Sequence, residues 1–141
     1  MQTRSTNPKD GQGVQKVPFR FTPPSALIEL GRAMRDGTRP RNGLPEGYGP
    51  FNWRDSKVDT AIYYEAALRH LFNWFEGQQR DPVSKAHELG HVMACCAIII
   101  DAETSGALID SRPVPNGWVV DQLGKFDEYA PDWTKAKGTK K

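Results

Sequence analysis

No apolar run in this chain is long enough to cross a bilayer. The most hydrophobic stretch, Val92 to Ile100, falls far short of the roughly 20 residues that a spanning helix needs. An excess of one charge is also missing, since 19 Lys and Arg against 17 Asp and Glu leave a net charge of +2. That is not the footprint of a nucleic-acid binder, and the basic tail from Lys135 to Lys141 reads as solvated. Cysteine is scarce. Cys95 and Cys96 are adjacent, and neighbours in a helix point about 100° apart, so they cannot readily bridge each other. Reduced thiols in a cytoplasmic protein are the natural reading. Met1 to Gln15 is polar, without the apolar core of a signal peptide, and no internal repeat is visible. The expectation is a soluble chain with no membrane partner and no stable nucleic-acid partner.

What the chain does have is two long segments largely free of helix breakers, set among eleven prolines and thirteen glycines. Residues 21–105 are expected to form one helical domain. Residues 1–20 lack hydrophobic periodicity and are expected to be a flexible arm, and 106–141 an irregular extension with a basic end. Ser25 to Arg35 should be a short amphipathic helix, with Leu27, Leu30 and Met34 on one side and Gly37 closing it. Thr38 to Phe51 holds three glycines and three prolines, and so long a loop in a small domain is more often functional than idle. Ser56, with Asp59 three residues on, resembles a capping box opening a helix that runs to Glu76 and ends at Gly77. Trp118 to Val120 reads as a short strand, and Phe126, Tyr129 and Trp133 as aromatics packing back on the helices.

Asp81-Pro82 has the form of a helix start, a capping carboxylate followed by a proline. A helix from Pro82 to about residue 103 would span ~30 Å. Only Gly77 to Arg80 would separate it from its predecessor, which predicts an antiparallel hairpin with Glu76 and Asp81 at the same end. The fold class expected is all-α. Because Val92 to Ile100 is apolar on every side, oligomerisation is expected to complete a four-helix bundle, as a homodimer or homotetramer.

Within that helix His87, Glu88 and His91 are the candidates for chemistry. Spacing of four puts both histidines on one face, next to the driest part of the core. His87-Glu88-Leu89-Gly90-His91 matches the HExxH pattern of zinc metallopeptidases, in which two histidines bind the ion and the glutamate activates water. A third ligand is harder to find. The metzincin extension needs histidine at position 97, which is Ala97, and Asp101 lies ~21 Å further along the same helix, which leaves Asp110 and Asp121 open as third ligands. His70, taken alone, reads as a core histidine, and Glu65 with Arg69 as an i,i+4 surface pair.

A resemblance bears on these alternatives. The Pro23-Pro24-Ser25-Ala26-Leu27 helix start, Tyr48 to Arg54, Ala67 to Leu71, Trp74-Phe75-Glu76-Gly77, Asp81-Pro82 and the His87/His91 pair before Cys95-Cys96 stand in order along most of the domain. In these the chain resembles the phage-borne dATP/dGTP diphosphohydrolases, relatives of the MazG-like all-α NTP pyrophosphatases. The resemblance implies hydrolysis of dGTP or dATP to the monophosphate and pyrophosphate, for nucleotide-pool control or modified-purine DNA synthesis in a phage. It implies Mg²⁺ or Mn²⁺ held by Glu76, Asp81, His87, Glu88 and His91, with Glu76, Glu88 and His91 catalytic. Trp53, Arg54, Arg69, His70 and Trp74 become the substrate-binding candidates. Gln78 stands where the family usually has a second acidic residue after Glu76-Gly77, which leaves open a non-catalytic helical interaction protein.

Overall fold

The computed structural model describes residues 7–41, 43–128 and 130–131. Helix α1 (Pro8–Gly13) and a 3₁₀ turn at Phe19–Phe21 precede α2 (Pro24–Asp36), α3 (Asn52–Asp55) and strand β1 (Val58–Asp59). Then come α4 (Thr60–Phe75), α5 (Glu88–Thr104), β2 (Leu108–Ile109) and α6 (Gly117–Leu123). The chain is mostly helical, and the one sheet among the described residues is a parallel pair in which Val58 faces Leu108 and Asp59 faces Ile109. Two compact units divide after Ser111. No helix among the described residues is long and apolar enough to cross a membrane.

In the first unit α4 packs most extensively on α5, and α2 lies on α5 as well. The core has two parts. Trp53, Val58, Ala102 and Ala107 form one, with Met34, Tyr63 and Ile98 against them. Burying the Trp53 side chain, roughly 200 Å² at about 25 cal/mol per Å², contributes on the order of 5 kcal/mol. The other part is built from the small residues Ala33, Ala86 and Ala94, which let α2 and α5 approach closely. Gly90 is buried at this contact, where a Cβ would sit 2.7 Å from the Glu29 carbonyl oxygen.

Several boundaries differ from the sequence-based expectations. Asp59 itself, rather than Ser56, caps α4, its carboxylate accepting the Ala61 N–H at 2.9 Å. The C-terminal end is as expected, with Glu76 as C-cap and Gly77 at φ 96°. Helix α5 begins at Glu88 rather than Pro82, so the link from α4 is longer than four residues. The reason is local. The Asp81 carboxylate closes a tight turn by accepting the N–H groups of Val83 (2.9 Å) and Ser84 (2.7 Å). Lys85 then adopts φ 63°, which a helix cannot continue through. The ring of His87 takes over the capping role, its Nδ1 accepting the Leu89 N–H at 3.0 Å.

The run Val92–Ile100 is not buried all round in the single chain. Ala94 and Cys95 are buried, while Cys96 and Ile100 are exposed. The arm expected at residues 1–20 contains α1, capped by Asn7. In the second unit, Trp118 to Val120 is helical rather than a strand, because the Asn116 side chain caps the N–H of Trp118. Phe126 is fully exposed, and Tyr129 and Trp133 lie outside the described residues.

The loop between α2 and α3 folds on itself through Arg41. Its guanidinium donates to the carbonyls of Asp36 (2.8 Å) and Arg39 (2.9 Å), pairs with the Asp36 carboxylate (3.1 Å), and lies 4.8 Å over the Tyr48 ring. Gly47 is required here. It has φ 62°, and a Cβ would meet the Arg39 and Gly37 carbonyl oxygens at 2.5 Å.

Candidate active site

Glu88 is the hub, and it is completely buried at the first turn of α5. A buried carboxyl needs partners for both oxygens, and it has them. His70 Nδ1, from the middle of α4, lies 2.6 Å from Oε2, and Gln78 Nε2, from the α4–α5 link, donates to Oε1 at 2.6 Å. The ring of His91, one turn along α5, stacks on that of His70 with centroids 4.4 Å apart and planes 10° apart. His91 Nε2 is 2.6 Å from Ser84 Oγ. Asp81 completes the cluster: ligand atoms of His70, Asp81 and Glu88 all lie within 4.8 Å of one another.

The electrostatics sort these groups. Burial works against an Asp81 anion, yet the N–H groups of Ser84 and Val83, the Ser84 hydroxyl and His91 together hold its carboxyl below the ordinary aspartate value. His91 is pushed below the ordinary histidine value, first by burial and then by the neighbouring His70, against the upward pull of Asp81, Asp36 and Glu88. At neutral pH Asp81 is therefore charged and His91 is an uncharged base.

Beside this cluster opens a cavity of about 710 Å³, within the range of small-molecule sites. His91 forms part of its wall, together with Trp53, Asp101, Tyr48 and Arg35. Part of its wall is tied together by Asp101. One carboxylate oxygen accepts the Trp53 indole N–H at 2.6 Å, and Arg54 makes a two-pronged pair at 2.7 Å for each contact. The Arg54 pair holds the Asp101 carboxyl down at about 2, with the Trp53 bond adding to it.

Some residues singled out in the sequence come together here and others do not. His70, Asp81, Glu88 and His91 converge. Glu76 is exposed at the C-cap of α4 and offers no atom to the His70–Asp81–Glu88 group. His87 is also outside that group, its ring held between the Leu89 N–H and Gln79 Nε2 at 2.8 Å. Because it precedes the helix, the shared helical face assumed for His87 and His91 does not exist. Trp53 and Asp101 line the cavity, and Arg54 is committed to Asp101. Arg69 is exposed on α4, 3.9 Å from Glu65, and Trp74 is partly exposed on the same helix; neither lines the cavity. Ser84 and Phe51 were not singled out by sequence. Ser84 could have been found from the Asp-Pro-x-Ser spacing, which favours a side-chain-closed turn over a helix cap.

The sequence model of the dATP/dGTP diphosphohydrolase N-terminal family matches residues 6–112, which covers α1 through β2 and every residue of the site. The chain belongs to this family. The family description names a hydrolase, and the His70–Asp81–Glu88 cluster and the cavity both fall inside the matched region. None of the curated proteins and none of the solved structures matches the chain.

Proposed function

We propose that the protein hydrolyses purine deoxynucleoside triphosphates, dGTP or dATP, to the monophosphate and pyrophosphate in a metal-dependent reaction. The observation that carries this reading is the position of His91, which stacks on a cluster able to hold a cation and also walls a nucleotide-sized cavity.

One imidazole and two carboxyl groups make a donor set suited to Mn²⁺ or Mg²⁺, with the nitrogen favouring the former. His70, Asp81 and Glu88 are the residues that would hold it; of the ligands expected from the resemblance, Glu76, His87 and His91 are left out because none offers an atom to that group. A divalent ion there would neutralise the triphosphate and lower the pKa of a bound water. The chain's own residues supply the rest. Gln78 and His70 fix the Glu88 carboxyl against rotation. Uncharged His91, aligned on the Ser84 hydroxyl, is placed to take the proton of the attacking water. The water oxygen bonds to the α-phosphorus, the bond to the bridging oxygen breaks, and pyrophosphate departs. In a phage this activity would control purine deoxynucleotide pools and supply dGMP where modified-purine DNA is made.

We further infer that α4 and α5 form a hairpin whose bundle is completed by a second copy. Ile62, Phe72 and Phe75 on α4 and Ile100 on α5 are more than half exposed in the single chain, an unusual load of bare apolar surface. A monomer by light scattering at micromolar concentration would refute this.

The test of the reaction is turnover of dGTP and dATP by chelator-stripped protein, with Mn²⁺ or Mg²⁺ added back. Activity should return with the metal, fall by roughly a hundredfold or more in Asp81→Ala and His70→Ala, and persist in Glu76→Gln. Full activity in Asp81→Ala would remove the cluster from the reaction. The peptidase alternative finds no support in the geometry, since the two histidines of the HExxH pattern turn their nitrogens to separate partners.

A further inference from the structure

The wall of the cavity also contains an aromatic pair, Phe51 and Trp53, with ring centroids 5.3 Å apart. Trp53 is only 7 % exposed, its indole N–H committed to Asp101 and its ring to the core. Little of it remains for a ligand. Phe51 lines the same cavity and is 54 % exposed. Its ring therefore has surface left to meet a ligand inside the cavity. Its backbone is left-handed, φ 54° and ψ 26°, a region that non-glycine residues seldom adopt and that persists where the surroundings over-determine it. Here they do. Arg54 lies 4.7 Å over the Phe51 ring and is clamped by both oxygens of Asp101. Asp101 thus holds Phe51 through Arg54, and Trp53 directly.

We propose that Phe51 is the surface that receives the purine base, and that Asp101 is the residue positioning it. This rests on the reading of the cavity as a nucleotide site and names the part that meets the base. Stacking is tolerant of base identity because every base has a π-face, so the wall serves dGTP and dATP alike. The triphosphate would then extend toward His91, which lines the same cavity. Arg54, neutralised by Asp101, acts through the ring it backs rather than on phosphate.

Steady-state kinetics on dGTP with Mn²⁺, for the wild-type chain, Phe51→Ala, Phe51→Trp, Asp101→Asn and the Phe51→Ala/Asp101→Asn pair, test the proposal. Phe51→Ala should raise KM about tenfold or more while kcat stays within about threefold, and Phe51→Trp should restore KM. Asp101→Asn should raise KM in the same direction, and the double substitution should cost no more than Phe51→Ala alone, since both act on one wall. Inorganic tripolyphosphate has the phosphates without a base, so its inhibition should be unchanged in Phe51→Ala. An unaltered KM in Phe51→Ala, a loss confined to kcat, or tripolyphosphate inhibition weakened to the same degree would each overturn the proposal. If the wild-type chain turns over no nucleotide, the proposed reaction fails, and the wall is judged by calorimetric binding of dGTP. Binding weakened about tenfold by Phe51→Ala sustains it; equal binding, or none to the wild-type chain, refutes it.

Discussion

Gly90→Ala and Gly31→Ala should move stability in opposite directions, and the contrast tests how the site is supported. Both glycines sit inside helices, Gly31 in α2 and Gly90 in α5. On propensity alone, alanine should stabilise each by about 0.5–1 kcal/mol. At Gly31 an added Cβ meets nothing within 4 Å, so the gain should appear in full. At Gly90 it would lie 2.7 Å from the Glu29 carbonyl oxygen, 3.1 Å from its carbonyl carbon and 3.3 Å from its Cβ. The first distance is shorter than real methyl contacts, and the obstacle is backbone, so α2 must shift. Overpacking of this kind costs about 1–3 kcal/mol, which outweighs the propensity term and leaves a net loss of about 1–2 kcal/mol, or roughly 2–8 °C in Tm. The shift would also loosen the bond from the His87 N–H to Glu29, 3.2 Å in the native chain, at the start of the helix carrying Glu88 and His91. Urea unfolding with matched m-values measures both variants. A Gly90→Ala protein as stable as Gly31→Ala would refute the close approach of α2 and α5.

Glu88→Ala leaves His70 and Gln78 facing a void and should cost about 3–5 kcal/mol, whereas Glu88→Gln keeps the volume and should cost about 1 kcal/mol while abolishing turnover; equal stabilities in a denaturant titration would contradict the buried hub. Acid should destabilise the fold through Glu29 and Asp101. The Arg80 hydrogen bond, helped by the His87 N–H and Arg32, holds Glu29 at about 2 against its ordinary 4.5, and Asp101 is likewise held at about 2 against 3.8. Because both folded values are depressed, their contribution is complete above the ordinary values and is lost as pH falls toward 2. Glu29→Gln should flatten stability over that interval in thermal melts taken across it, and an unchanged slope would argue against the Arg80 pair. Burial raises the Cys95 thiol to about 11, so iodoacetamide should modify exposed Cys96 ahead of Cys95; the reverse order by mass spectrometry would place α5 the wrong way round.

The parts of the fold legible in the sequence are those decided by local periodicity. α4 follows from its unbroken apolar pattern and from Gly77, whose left-handed backbone ends it; α2 follows from its proline start and amphipathic face. The start of α5 was not legible, because one carboxylate can cap a helix or close a turn. At Asp81 the turn wins, with Lys85 in a left-handed conformation behind it. That choice removes His87 from the helix and dissolves the HExxH geometry. The site was half legible. Asp81, Glu88 and His91 stand out as chemistry-bearing residues close in sequence, and Gln78 as a departure from an acidic pattern. The structure shows Gln78 as the donor that satisfies Glu88. His70 reads as an ordinary core histidine because its partner lies on another helix, and Asp101 as irrelevant because its partners precede α4. Contacts between elements leave no local signature in one sequence.

The proposed attack of water at the α-phosphorus is tested by hydrolysis of dGTP in oxygen-18 water with Mn²⁺, with both products weighed by mass spectrometry. Such attack puts one labelled oxygen in dGMP and none in pyrophosphate. Label in pyrophosphate, dGDP with orthophosphate as products, or no turnover of either dGTP or dATP would contradict it.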